Sequence, residues 1–89
     1  MANVRITEGF EEDLGMVLSD RVLNDILNTV TMLQTIPTMG SLDVPAAIAL
    51  EFGEGVHKIP VNPFDIVTTY DEFTDTVTVH GLIHQRAAW

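Results

Sequence analysis

The segment VHKIPVNPFDIVTTYDEFTDTVTVHGLIH, residues 56–84, decides the fold of this 89-residue chain. It is rich in β-branched and aromatic residues, and apolar and polar residues alternate at its start and at its end, as in half-buried strands. The turn-forming sequences NP and DEFTD divide it into three parts. Pro60 lacks an amide hydrogen, which suits an edge strand or a bulge. We predict strands in antiparallel succession at residues 56–61, 64–70 and 76–84.

The first 37 residues are expected to form one short strand and two helices. VRIT (4–7) alternates as a strand does, whereas apolar residues recur at helical spacing in TEGFEEDLGMVL (7–18) and in the following segment, 19–36. Pro37 ends the second helix, because proline disfavours the helical conformation of the residue before it. The predicted N-caps are Thr7 for the first helix and Ser19 or Asp20 for the second.

These elements predict an α+β fold of order β-α-α-β-β-β. One or two residues between the helices would make them a helical hairpin, which we expect on one face of an antiparallel sheet. AAIALEFG (46–53) fits either a helical turn or a covering loop. The length suits a single domain, residues 1–89.

Composition limits the classes of function. The chain is 46% hydrophobic and 19% charged, the reverse of the balance in disordered proteins. It has no cysteine, no signal peptide pattern and no run of apolar residues long enough for a membrane span, so we expect a cytoplasmic protein without membrane contact. The net charge of −9, with four Lys and Arg residues, restricts any contact with nucleic acid to a local patch.

Two histidines, His80 and His84, lie four residues apart in the last predicted strand. On a helix this spacing would suit zinc, but on a strand it places them on one face about 13 Å apart, so they cannot share a metal ion. We therefore predict neither a metal nor a cofactor. His84, Arg86 and Trp89 fall at the strand's end, where they could contact a phosphate and stack on a base, or clamp a protein. Alternatively, Trp89 covers the helices and Arg86 pairs with a carboxylate.

Three stretches together resemble the RelE/ParE superfamily of bacterial type II toxins. They are VRITEGFEEDL at the start, GEGVHKIPVNPFDIVTTYD in the middle and VTVHGLIHQRAAW at the end. The resemblance covers essentially the whole chain. It implies a compact α+β toxin encoded beside an antitoxin that wraps and neutralises it. RelE-like members cut mRNA in the ribosomal A site, and ParE-like members poison DNA gyrase.

The resemblance also implies a catalytic set. Lys58 matches a basic residue on the second strand of the nuclease branch, Arg86 matches its arginine after the last strand, and His84 lies near a catalytic histidine of some members. These residues would hold the scissile phosphate or act as general base. The pair that opens the third strand in that branch, Tyr-Arg or His-Arg, is Phe64-Asp65 here. An acid in that place would repel a phosphate.

Three functions therefore stay open: an mRNA endonuclease, a non-enzymatic toxin that binds a protein such as gyrase, and an inactive member of the fold that only makes interactions. Residues 1–55 hold nine acids against Arg5 and Arg21, a net charge of −7. Charge complementarity then predicts an antitoxin with a basic binding segment, encoded by the neighbouring gene. A homodimer is also left open.

Overall fold

The computed structural model describes residues 1–53 and 55–88 and confirms the α+β class and the predicted order of the main elements. Residues 46–53 take the helical alternative, and a further short helix follows the last strand. The elements are β1 (Asn3–Ile6), α1 (Glu8–Leu14), α2 (Asp20–Met32), α3 (Ala46–Phe52), β2 (His57–Val61), β3 (Phe64–Asp71), β4 (Thr76–His84) and α4 (Gln85–Ala88).

One four-stranded sheet has the order β1-β4-β3-β2. The pairs β2–β3 and β3–β4 are antiparallel, as predicted, but β1 runs parallel to β4, so the sheet is mixed rather than antiparallel throughout. A parallel pair needs a long crossover between its strands, and here the helices and two other strands intervene. Pro60 lies in the edge strand β2, in agreement with its missing amide hydrogen.

The hydrophobic core lies between helices α1 and α2 and one face of the sheet, which we call the helix face. Side chains on a strand alternate between faces, so alternate strand residues meet α1 and α2. Burying such side chains is the main favourable term in folding. The most buried core members are Phe10, Ile26 and Leu33 from the helical half and Ile66, Val77 and Val79 from the strands.

Both helices are shorter than the sequence predicted. Helix α1 ends at Leu14 rather than at residue 18, because Gly15 is a weak helix former and its amide donates to the carbonyl oxygens of Glu11 and Glu12 in a tightened last turn. Residues 15–19 therefore connect the helices, in place of one or two residues. Helix α2 ends at Met32, before the predicted end at residue 36. None of the helices in the described ranges is long and apolar enough to cross a membrane.

The predicted caps at both helix starts are confirmed. The Thr7 hydroxyl accepts the Phe10 amide hydrogen at 3.2 Å, and the Ser19 hydroxyl accepts that of Val22 at 3.3 Å. Each bond satisfies one of the amide groups that a first helical turn leaves without a partner. Thr7 also donates its hydroxyl hydrogen towards the carbonyl oxygens of Val79, at 3.1 Å, and His80, at 3.0 Å. This cap therefore fixes α1 to β4.

Helix α1 replaces β1 as the neighbour of the second half of β4. Beyond the end of β1, the Asp13 carboxylate accepts the Leu82 amide hydrogen at 2.9 Å. A Cβ atom on Gly81 would lie only 2.9 Å from the same carboxylate oxygen. A larger residue at position 81 would therefore require the Asp13 side chain to shift.

Candidate functional site

Lys58 lies on the face of the sheet opposite to the core, which we call the far face. It pairs with Val67, while its neighbour Ile59 points into the core. On the outer side of β2, the backbone of Lys58 exchanges two hydrogen bonds with Ser41, at 2.8 and 2.9 Å. Lys58 thus lies in an edge strand whose outer side is partly covered by the segment around Ser41, which precedes α3.

His84 and Arg86 are close neighbours at the end of β4. The His84 ring meets the Phe64 ring edge-on, with 5.5 Å between ring centroids. The Arg86 amide donates to His84 Nδ1 at 3.2 Å, and the Arg86 side chain is exposed on α4. The structure therefore brings together two of the three predicted catalytic residues.

Lys58 does not join them. His84 lies directly opposite Phe64, which packs against the core, so His84 is on the helix face. Lys58 lies opposite Val67, three residues further along β3, and an odd separation along a strand means opposite faces. The expectation that Lys58, His84 and Arg86 gather on one side of the sheet is not met. Their catalytic roles stay a prediction.

A β-bulge separates the two histidines of β4. The pairing changes from Val67 with Gly81 to Thr68 with Val79, which leaves His80 as an extra residue in β4. The sequence predicted His80 and His84 on one face, but an extra residue reverses the alternation of side chains along the strand. His80 lies on the far face, and His84 lies on the helix face.

His80 is held by side chains from two other elements. Its Nε2 lies 2.7 Å from Thr69 Oγ1 on β3, and its ring contacts the Phe52 ring at the end of α3, with centroids 4.8 Å apart. Burial lowers the pKa of His80 below its ordinary value, and the nearby Arg5 charge lowers it further. The neutral form of His80 is therefore favoured. The sequence contained no signal for this arrangement, because the bulge depends on pairing with β3.

The beginning of β3 carries a buried acid where the nuclease branch would have a cation. Asp65 is 3% exposed and lies on the far face, opposite Pro60 and Ile83. Its Oδ1 accepts a hydrogen bond from Gln85 Nε2 at 3.1 Å, and the same amide donates to the Phe64 carbonyl oxygen at 3.2 Å. Asp65 thus anchors the start of α4 to the β2–β3 turn.

An apolar groove opens on the other side of His84, between the α1–α2 connection and the ends of β3 and β4. It has a volume of ≈ 250 Å³ and continues past His84 towards Asp13 and Leu82. Two large apolar side chains at its rim are strongly exposed, Met16 at 77% and Leu18 at 96%. The groove is lined by Met16, Val17, Leu18, Ser19, Val22, Pro63, Phe64 and His84.

Two further expectations concern the tail and metal binding. Trp89, predicted to stack on a base or to cover the helices, lies outside the described residues. Within residues 1–53 and 55–88, no three His, Asp or Glu side chains are grouped so that they could hold a metal ion.

Comparison with solved structures identifies the fold. The chain is similar to a chain of the RelBE2 toxin-antitoxin complex from Mycobacterium tuberculosis, with a TM-score of 0.71 and 15% identity over 93% of this chain and 96% of that one. A chain of the intact E. coli RelBE toxin-antitoxin complex gives a TM-score of 0.66 and 13% identity over 92% and 94%. No family model and no curated protein matches the sequence. The chain has a RelE-like fold, as the sequence resemblance implied.

Proposed function

We propose that this chain of RelE-like fold is the toxin of a type II toxin-antitoxin module and that it acts by binding a protein target rather than by cutting mRNA. The argument against mRNA cleavage rests on one observation, that Lys58 and His84 lie on opposite faces of the sheet. Metal-independent cleavage of RNA needs a base, an acid and a cation around one phosphate, within hydrogen-bond reach of the reacting atoms.

Asp65 supports the same conclusion. Its carboxylate shares the far face with Lys58 and is held in place by Gln85. A fixed negative charge near the scissile phosphate would destabilise both the bound substrate and the transition state. Binding to a protein such as DNA gyrase, the target of ParE-like toxins, requires no such catalytic set.

The apolar groove beside His84 is our candidate for the antitoxin contact. Exposed apolar residues around a concave surface mark sites of protein association, and an amphipathic helix is one common occupant. The surrounding chain is acidic, so the partner segment should combine an apolar anchor with Lys or Arg. The acids of the adjoining helices are Glu8, Glu11, Glu12, Asp13, Asp20 and Asp25.

Expression of the chain without its neighbouring gene tests the mode of action. We expect growth arrest with stalled replication and intact messages, measured by DNA synthesis and by mapping 5′ ends on ribosome-bound mRNA. The variants Lys58→Ala and Arg86→Ala should still arrest growth, because the proposed mode of action involves no catalytic step. Harmless expression would contradict both toxin mechanisms and leave the inactive, interaction-only alternative.

The second candidate function is ribosome-dependent mRNA cleavage, which the 3.2 Å bond between the Arg86 amide and His84 Nδ1 favours. Because Nδ1 accepts the amide hydrogen, the neutral ring carries its proton on Nε2, where it could donate to a phosphate or act as a general acid beside the cation. In that case new 5′ ends should appear on ribosome-bound messages, and His84→Ala, Arg86→Ala and Lys58→Ala should each abolish them. That result would overturn the protein-binding proposal.

The antitoxin contact can be tested separately in the co-expressed pair. Leu18→Asp places a charge at the rim of the apolar groove and should weaken copurification of the neighbouring gene's product. Leu50→Asp is the matched control, because Leu50 is also strongly exposed, at 86%, but lies on α3. Equal copurification of both variants would exclude the groove as the contact.

A further inference from the structure

A row of polar side chains crosses three strands on the far face. Arg5 of β1 lies opposite Thr78 of β4, which lies opposite Thr69 of β3. Neighbouring strands are about 4.8 Å apart, so the row is about 10 Å long. His80 joins it through the 2.7 Å contact with Thr69 Oγ1. The row lies at the opposite end of β4 from His84.

The charge of Arg5 is not neutralised by any acid in the part of the chain that the structure describes. Its side chain is exposed, and within residues 1–53 and 55–88 it forms no salt bridge. The nearest acid further along β3 on the same face is Asp71, two residues beyond Thr69, and its Oδ1 accepts the Phe73 amide hydrogen at 2.9 Å in the following turn. Among the described residues of this protein of net charge −9, the Arg5 guanidinium group thus has no ion-pair partner.

The hydroxyl groups of Thr78 and Thr69 can donate further hydrogen bonds to a ligand bound beside Arg5. Thr78 is half-buried, and its hydroxyl forms no hydrogen bond with the described residues. When the proton of neutral His80 is on Nε2, this nitrogen donates to Thr69 Oγ1, and the Thr69 hydroxyl hydrogen is then available to an incoming acceptor. The row therefore combines a charged fork of N–H groups with two hydroxyl donors.

We propose that Arg5, Thr78 and Thr69, oriented by His80, form a binding site for a phosphate group. A guanidinium group binds an oxyanion through two parallel hydrogen bonds. These two bonds are enough for the two oxygens of a carboxylate, which would leave the threonine hydroxyls unused. The hydroxyls of the row add donors that suit the additional oxygens of a phosphate. The site shares no residue with the predicted Lys58, His84 and Arg86 set, and it does not depend on the proposed toxin function.

The pKa of His80 can be used to measure whether this site is occupied. The Arg5 charge contributes to the lowered pKa of His80, so an anion bound to Arg5 should offset that contribution and raise the pKa. Among residues 1–53 and 55–88, Arg5 is the charged side chain that shifts the pKa of the ring, and the ring's contact partners Thr69 and Phe52 are uncharged. The ring's NMR signals therefore follow occupancy directly.

The test is a titration of the full chain with inorganic phosphate at constant ionic strength, followed by NMR of the His80 ring and the Arg5 side chain. We expect saturable shifts at both residues and a raised His80 pKa in phosphate. Arg5→Gln should weaken phosphate binding about tenfold or more, because it removes a charge-assisted contact. Arg21→Gln, which removes the same charge from exposed α2, should leave phosphate binding unchanged.

One further variant and one further ligand complete the test of the phosphate site. Thr78→Val keeps the size and strand preference of the side chain and removes one donor, so it should weaken phosphate binding several-fold even if Arg5→Gln perturbs β1. Acetate tests the carboxylate alternative and should bind more weakly than phosphate. Shifts that do not saturate, equal binding by Arg5→Gln and Arg21→Gln, or acetate binding as tight as phosphate binding would each overturn the proposal.

Discussion

The two faces of the sheet differ in what their side chains do, although they belong to the same strands. On the helix face, Ile66, Val77 and Val79 are fully buried against α1 and α2. On the far face, Arg5, Thr78 and Thr69 form a polar row, and His80 contacts Thr69 and the Phe52 ring. The main core therefore lies against one face, whereas the other face combines this polar row with the buried Val67 and Asp65.

The bulge in β4 decides which face receives which histidine. Without the extra residue, His80 and His84 would share a face by simple alternation. With it, His80 meets Thr69 on the far face and His84 meets Phe64 near the groove. One residue of local irregularity thus separates two candidate sites, which is a common role of bulges near functional residues.

The largest effect should follow from removing an aromatic side chain that α1 packs against the helix face. Phe10→Ala should lower the free energy of unfolding by about 3–5 kcal/mol, because Phe10 is fully buried. Phe73→Ala is the matched control, since Phe73 is 99% exposed and should contribute little. Chemical denaturation measures both variants. Similar losses in the two would contradict the assignment of the core to this face.

Much of the helix face could be predicted from the sequence because local patterns encode it. The alternation in residues 56–61 and 76–84 gave the strands, and Thr7 and Ser19 gave the helix starts. The early end of α1 was missed, since the apolar spacing continues to Leu18 while the weak helix propensity of Gly15 ends the helix.

The far face could not be predicted in the same way, because its arrangement depends on register between distant strands. Nothing near Arg5 indicates that β1 pairs with β4 in parallel, and nothing near His80 indicates a bulge. The family resemblance singled out Lys58, His84 and Arg86, which the sheet divides, and Arg5 was passed over as a site residue. Sequence spacing alone does not determine faces once a strand is irregular.

A second prediction concerns the edge of β4 next to the bulge. Asp13→Ala should lower stability by about 1–3 kcal/mol, because the half-buried Leu82 amide would lose its acceptor. Glu12→Ala, the adjacent exposed acid on α1, should change stability much less. Denaturation at one salt concentration compares the two. If both variants unfold alike, general charge rather than this bond stabilises the edge.

A smaller effect is expected from the hydrogen bond on the far face. Thr69→Val removes the hydroxyl partner of His80 Nε2 and should lower stability by about 0.5–1.5 kcal/mol. Thr78→Val provides a close comparison on the neighbouring strand, because the Thr78 hydroxyl forms no hydrogen bond with the described residues. It should be neutral or slightly stabilising. A larger loss in Thr78→Val would contradict the bonding pattern of the row.

The subtlest effect should be the pH dependence that His80 gives to stability. Its pKa is lowered in the folded state by burial and by Arg5, so the unfolded chain binds this proton more tightly. The contribution of His80 to stability is therefore complete above the unfolded pKa of about 6.5 and is lost as pH falls towards the folded pKa.

Arg5→Gln should raise the folded pKa of His80, measured by NMR titration, and should flatten the acid side of the stability profile, measured by denaturation. Arg21→Gln should alter neither quantity. An unchanged His80 pKa in Arg5→Gln would mean that the two side chains do not interact across the far face, and the polar row would then lose its charged member.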